Sequence, residues 1–383
     1  MRANDPGVTL TVAVTYPGDP TDPQSWSGTP AGLIRGLEAA GVRVVPVDLT
    51  PPSTAARVWT RVTAQRLRPT ADELLTLGRE SAAYARLVEL TALYRVPRHV
   101  DAVLQIGTGY RVHHRRLATF EDMTIAQAVE HAWGPFPDLP PALVDGRRRL
   151  QQSVYEKAGI CFAATSWVAD SISDDYGIPR EWITVTGLGV NREGQPSTDK
   201  DWSSPRFLFV GHDWERKRGD AVVKAFAQVR DLYPDALLHL VGAGVPNIDA
   251  DGVVVHGLLP ISEPAAQQRL GRLFAEATCL VVPSRLEPAG IVYAEAGRMG
   301  IPSIGTTVGG ASDMIGDGGI VVDPSDPGGV SEAMLRLADP AVAKEAGRRA
   351  SQHAARLTWE AVGARVRDRL VRAVVSGRGP GAR

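Results

Sequence analysis

Glu287 and Glu295 bracket seven residues, Pro-Ala-Gly-Ile-Val-Tyr-Ala, with Gly290 between them. An apolar run, Cys279-Leu-Val-Val-Pro283, precedes them and reads as a buried strand. A run from Ile291 to Met299 follows and reads as a helix. A strand, a tight turn and a helix start make an anion site, because the first helical N–H groups have no partner inside the helix. Two carboxylates beside such a site can hold hydroxyls next to a bound phosphate. The chemistry suggested is that of a sugar nucleotide.

Two more segments of the second half fit that ligand. Phe209-Val-Gly211-His212-Asp-Trp-Glu-Arg216-Lys217-Arg218-Gly219 runs from a strand into a loop with three consecutive cations. Fixed cations and helix-end amides stabilise the charge that grows on a departing diphosphate. Read alone, the same run is equally a solvated basic turn. Val253-Val-Val-His256-Gly257-Leu258 places a Gly-bearing turn after a strand, where backbone groups can meet a base edge. In the first half, Ser25-Trp-Ser-Gly28-Thr29-Pro30 joins a strand to a helix, and Gly28 lets backbone approach a ligand closely. His113-His-Arg-Arg116 leads into Phe120-Glu-Asp122-Met-Thr124.

The elements that must position these residues alternate along the whole chain. Strands are expected at 8–14, 42–47, 102–106 and 160–163, with helices at 31–40, 71–94, 141–158 and 166–176. A polar, turn-rich stretch at 193–200 reads as a linker. Beyond it, strands are expected at 207–210, 237–241, 253–255, 280–282, 302–305 and 320–322. Helices are expected at 220–233, 263–275, 291–299, 329–337, 341–357 and 359–375. Such alternation implies parallel sheets covered by helices, with ligands at the C-terminal strand ends. The expected architecture is α/β: two doubly wound, Rossmann-like domains facing a cleft. Their bounds are 1–195 and 196–357, followed by a helix at 358–375, and 376–383 are expected to be a disordered tail.

Composition excludes several classes. The 383 residues are 44% hydrophobic and 22% charged, as in soluble globular proteins. Lys and Arg number 42 against 43 Asp and Glu, so no global basicity points to nucleic acid. No apolar run spans a membrane and the first residues lack a signal-peptide core, which suggests a cytoplasmic enzyme. Arg57-Val-Trp59-Thr-Arg61, with Arg66 and Arg68, is a basic amphipathic candidate for a membrane surface, though a solvated helix face explains it as well. Cys161 and Cys279 sit in apolar runs and read as buried thiols. No metal site is expected: His113 and His114 have no third ligand at suitable spacing. Asp249-Ala-Asp251 reads as a polar turn. Val241-Gly-Ala-Gly244 lacks the third Gly of a dinucleotide fingerprint.

As a set, Phe-Val-Gly211 with Arg216-Lys217, His256-Gly257, Pro-Ser284-x-x-Glu287-Pro-x-Gly290, Glu295 and Gly305-x-x-x-Gly-Gly310 closely resemble the family-4 retaining glycosyltransferases of the GT-B fold. The resemblance covers nearly all of 205–340. It implies a nucleoside-diphosphate-sugar donor, a UDP- or GDP-sugar in the first instance, a hydroxyl acceptor, and no cofactor or metal. Lys217 is implied as the diphosphate-binding lysine, with Arg216 or Arg218 assisting. His212 stands where the family often has Arg. Glu287 is implied to face the donor sugar, and Gly290, Ile291 and Val292 to offer N–H groups to the phosphates. Glu295 is implied to bind ribose hydroxyls, and the Leu258 backbone the base. The Gly28 loop is implied to lie near phosphate and acceptor. Asp122, and after it His113, are the candidates for the group near the reacting sugar. The resemblance further implies that 1–195 is the acceptor-binding domain and 196–357 the donor-binding domain, that helix 358–375 crosses back to the first domain, and that the mechanism is front-face displacement. A sugar-nucleotide epimerase and a non-catalytic sensor are the alternatives. Donor base, sugar, acceptor and oligomeric state are not specified by these residues.

Overall fold

The computed structural model describes residues 10–52, 80–192 and 200–375. The basic stretch with Arg57, Trp59, Arg61, Arg66 and Arg68, most of the polar stretch near 195, and the tail after 375 lie outside the described residues. The chain divides into two compact units, Met1–Thr186 with Trp359–Arg383, and Gly187–Thr358.

The first unit is built on β1 (Thr11–Tyr16), β2 (Arg43–Asp48), β3 (Ala102–Ile106), β4 (Leu117–Glu121), β5 (Cys161–Ala163) and β6 (Ile183–Val185). These form one sheet in the order β2-β1-β3-β4-β5-β6. Every pairing is parallel, with Val12 opposite Ala102 and Leu104 opposite Ala118. β3 and β4 are buried along their whole length, as central parallel strands covered on both faces must be. The described helices of this unit are α1 (Thr29–Ala39), α2 (Ala82–Arg95), α3 (Ile125–Glu130), α4 (Pro141–Ala158) and α5 (Ser166–Asp174). Thr124 and Gln127 form a capping box that starts α3.

The second unit repeats the plan with β7 (Arg206–Val210), β8 (Leu237–Val241), β9 (Val253–Gly257), β10 (Cys279–Val281), β11 (Ser303–Thr306) and β12 (Gly319–Val322). Their order is β12-β11-β10-β7-β8-β9, again all parallel. Its helices are α6 (Gly219–Leu232), α7 (Pro264–Glu276), α8 (Ile291–Arg298), α9 (Ala311–Ile315), α10 (Gly329–Ala338) and α11 (Pro340–Ala354). The last helix, α12 (Trp359–Val375), belongs to the first unit and packs on α1.

Two parallel sheets with flanking helices, and a terminal helix returning to the first unit, match the expected architecture. Two strands were not foreseen. β4 directly follows a cationic run and ends on Glu121, so its apolar stretch is short. β6 is three partly exposed residues. The segment after His114 is therefore a central strand, with Glu121 as its last residue and Asp122 just beyond.

Candidate functional site

Local structure brings the cations and carboxylate of the second unit together. After β7 the chain makes a tight turn: the Lys217 N–H donates to Asp213 O, and Gly219 N–H to Trp214 O. The Trp214 ring meets Phe209 edge-on, with centroids 5.3 Å apart, and anchors that turn to the strand. The Arg285 N–H donates to Arg216 O at 2.7 Å, joining this loop to the one after β10. Lys217 thereby faces Glu287.

Three donors converge on Glu287 Oε2. Lys217 Nζ lies at 2.9 Å, Ser284 Oγ at 3.0 Å and Arg216 Nη1 at 3.4 Å. Glu287 and Lys217 are both buried, and Ser284 is fully so. Burial by itself pushes the Glu287 carboxyl up. The Lys217 and Arg216 charges, with the Lys217 and Ser284 hydrogen bonds, outweigh it and hold the group below its ordinary value. Arg216 also donates to Leu286 O and pairs with Asp213. The Glu287 backbone is fixed against the loop after β11: its N–H donates to Val308 O and its carbonyl accepts from Gly310. A Cβ at Gly309 would lie 2.2 Å from the Glu287 carbonyl oxygen, which accounts for glycine at that position.

Gly290 (φ 84) caps α8, whose first residues are Ile291 and Val292. Glu295, one turn further, is half-buried. Burial raises its carboxyl, opposed by the Arg192 charge and by hydrogen bonds from the backbone N–H groups of Arg192 and Asn191. Arg192 is itself held by Gln267 Oε1 at 2.9 Å and by the Phe274 ring. Gly211 abuts Lys217, since a Cβ there would meet the lysine stem. Arg218 adopts a left-handed conformation at the α6 N-cap. Burial and Arg285 lower its pKa, opposed by Asp326 and Asp323. His212 and Leu258 are exposed loop residues, outside the Glu287 cluster.

In the first unit, Gly28 (φ 78) caps α1, and Asp122 Oδ2 accepts a hydrogen bond from Trp26 Nε1 at 3.0 Å. His113 Nε2 pairs with Glu89 on α2 rather than with Asp122. Glu121 is buried with Thr108 Oγ1 donating to it, and Gln151 Nε2 donates to Thr108 at 2.6 Å. Burial, reinforced by Asp122, pushes the Glu121 carboxyl up to about 8 against those hydrogen bonds. A cavity of about 500 Å³ opens between α2 and α4, and its lining includes Arg86, Arg111, Arg147 and Arg149 with Glu89. Sequence reasoning did not single out Trp26, Glu121 or Arg192. Trp26 lies inside the flagged Gly28 loop, but its partner could not be read from spacing. Among the described residues, no group of three or more His, Cys, Asp or Glu is placed to hold a metal.

Two doubly wound units, one carrying a lysine–carboxylate cluster beside a helix start, define the GT-B architecture of glycosyltransferases. Residues 204–339 match the family described as glycosyl transferases group 1. The chain carries that domain and is a glycosyltransferase. It is 25% identical to the D-inositol 3-phosphate glycosyltransferase of Streptomyces avermitilis, over 86% of this chain and 82% of that one. It is 28% identical to D-inositol 3-phosphate glycosyltransferase 1 of Catenulispora acidiphila, over 90% and 93%. The sucrose-phosphate synthase structure from Thermosynechococcus elongatus superposes with a TM-score of 0.69 at 18% identity, covering 96% of this chain and all of that one (100%). WaaG, a glycosyltransferase involved in lipopolysaccharide biosynthesis, gives 0.60 at 15% identity, covering 94% and 99%.

Proposed function

We propose that the protein moves a sugar from a nucleoside diphosphate, UDP or GDP in the first instance, to a hydroxyl acceptor with retention at the anomeric carbon. The observation that carries this reading is the buried Lys217–Glu287 pair beside the start of α8. Lys217, Arg216 and Arg218 with the Ile291 and Val292 N–H groups supply the positive field that a diphosphate needs. Glu287 orders Lys217 and offers a carboxylate to sugar hydroxyls. Glu295 exchanges its backbone partners for the ribose hydroxyls, and the Leu258 backbone meets the base. The bond from the anomeric carbon to the phosphate oxygen breaks as the acceptor oxygen attacks from the same face. The acceptor proton passes to the leaving phosphate oxygen. Leaving-group charge is met by side chains and amides, so the reaction in this reading requires no metal.

For the acceptor, we propose a polyol bearing an anionic group. The arginine-lined cavity of the first unit favours it, and relatives named for inositol 3-phosphate supply the precedent. Two buried free thiols suit a reducing cytoplasm as the compartment. No described helix is long and apolar enough to cross a membrane.

A melting-temperature screen of UDP-, GDP-, ADP- and TDP-sugars tests the donor side, because a bound donor stabilises the fold by mass action. One base class should raise the melting temperature. Incubation with that donor and matched phosphorylated and unphosphorylated polyols should give an axial or equatorial linkage matching the donor, faster for the phosphorylated acceptor and unaltered by EDTA. Inversion of the anomeric centre, release of an isomerised donor without acceptor, or loss of turnover in EDTA would each sink the corresponding part of the reading.

A further inference from the structure

Between β1 and α1 three consecutive residues occupy the left-handed region: Trp26 (φ 42), Ser27 (φ 53) and Gly28 (φ 78). Glycine adopts it without cost. A bulky aromatic does not, because its Cβ crowds the following carbonyl. Trp26 and Ser27 keep this conformation only if the surroundings over-determine it. Those surroundings are specific. The indole Nε1 donates to Asp122 Oδ2 at 3.0 Å. The ring stacks on Tyr16 at 6.5 Å and 16°. It meets Phe120 edge-on at 6.4 Å. Tyr16 ends β1, Phe120 lies in β4 and Asp122 follows it, so one side chain ties the strained loop to two strand ends. Ser25 Oγ adds a bond to Asp19 O at the loop's entry.

The left-handed run closes directly onto the start of α1, where the Thr29 N–H donates to Trp26 O. The course of the Gly28 loop into α1 therefore depends on Trp26 keeping its contacts with Asp122, Tyr16 and Phe120.

We infer that Asp122 is a positioning residue that acts through the Trp26 indole to hold the Gly28 loop, and that it is not a proton acceptor in the transfer. Its carboxylate is the latch, and Trp26 the bolt. An amide oxygen accepts the indole N–H as a carboxylate does, whereas a methyl group does not. A phenyl ring keeps the stacking and loses the N–H. The substitutions therefore separate the latch from proton chemistry.

The rate arm of the test rests on the glycosyl-transfer reading, and the spectroscopic arm does not. Steady-state kcat and KM would be measured for Trp26→Phe, Asp122→Ala, Asp122→Asn and the Trp26→Phe/Asp122→Ala double variant. Coupled residues are non-additive, so Trp26→Phe and Asp122→Ala should each lower kcat/KM by about tenfold, and the double variant by no more than either. Asp122→Asn should recover most of what Asp122→Ala loses. In ¹⁵N–¹H spectra, the Trp26 indole resonance, assigned by its absence from Trp26→Phe, should be kept by Asp122→Asn. It should move and exchange faster in Asp122→Ala. Asp122→Asn as inactive as Asp122→Ala, beside a Trp26→Phe near wild type, would overturn the inference. So would an indole resonance unmoved in Asp122→Ala. If the wild type transfers no sugar at all, the functional reading fails and the resonance alone decides the latch.

Discussion

Lys217 and Glu287 are each other's solvent. A buried ion pair adds little net stability over an apolar pair, yet removing one member leaves an uncompensated charge. Glu287→Ala should therefore cost about 3–5 kcal/mol of stability in the second unit, because it strips Lys217 of its partner in a site only 11% exposed. Lys217→Ala should lower kcat by about 100-fold or more, as removal of one preorganised charge-stabilising donor does elsewhere. Chemical denaturation and turnover assays check the two, and a Lys217→Ala enzyme with near-normal turnover would remove the lysine from the mechanism. Glu121 poses the opposite case. Its carboxyl ordinarily titrates near 4.5 and is raised to about 8 by burial, so the folded state holds the proton more tightly than the unfolded chain. Its contribution to stability is full below the unfolded value and falls as pH rises from 4.5 through about 8, beyond which it is flat. Glu121→Gln is neutral throughout and keeps an amide for Thr108. Its melting temperature should match wild type at acidic pH and exceed it above pH 8. Parallel curves for the two proteins would show that Glu121 does not carry that proton.

At the scale of elements, glycine packing fixes how closely the loops of the second unit approach. Gly309 (φ 103) lies where its Cβ would strike the Glu287 carbonyl. Gly309→Ala must push the two loops apart, shifting Glu287 relative to Lys217. Donor affinity should fall about tenfold or more, since a small displacement of a positioned group is costly, with a modest loss of melting temperature; calorimetric titration of the donor reads the first. Unchanged affinity would mean that the Glu287 loop tolerates the shift. This site was legible in the sequence for a physical reason. A buried strand, a Gly turn and a helix start are local patterns, and the cations and carboxylates lie within a few residues of them. The first unit was less legible. Leu117-Ala-Thr-Phe is short, carries the buried polar Thr119, and follows four cationic or potentially cationic side chains, so its periodicity is masked. The Trp26–Asp122 contact lies still further from sequence. It depends on β1 and β4 flanking β3 in one sheet, and separates residues 96 positions apart. The partnership of Glu295 with the Asn191 and Arg192 backbone was hidden for the same reason.

The whole molecule is discontinuous in sequence: α12 completes the first unit after the chain has built the second. α1 and α12 meet through glycine. A Cβ at Gly36 would lie 2.0 Å from the Trp359 carbonyl oxygen, and one at Gly363 equally close to the Gly36 backbone. This permits backbone contact along the crossing. Trp359, Val362, Val366 and Leu370 are buried there. Arg365 donates to Thr186 O, and Arg367 to Ala40 O. Burial of each large apolar side chain contributes about 1.5–3 kcal/mol, so the four together rival the roughly 5–15 kcal/mol that holds a typical domain folded. Truncation after Thr358 should therefore unfold the first unit, although every residue removed is far in sequence from its sheet. The second unit keeps its six strands and its Lys217–Glu287 cluster. Calorimetry of the truncated chain should lose one transition and retain the other, and the retained one should still rise with a donor nucleotide. Gly36→Ala should weaken the same transition without deleting anything. A first-unit transition that survives truncation would mean that α12 only covers α1, and that the sheet and its other helices already suffice.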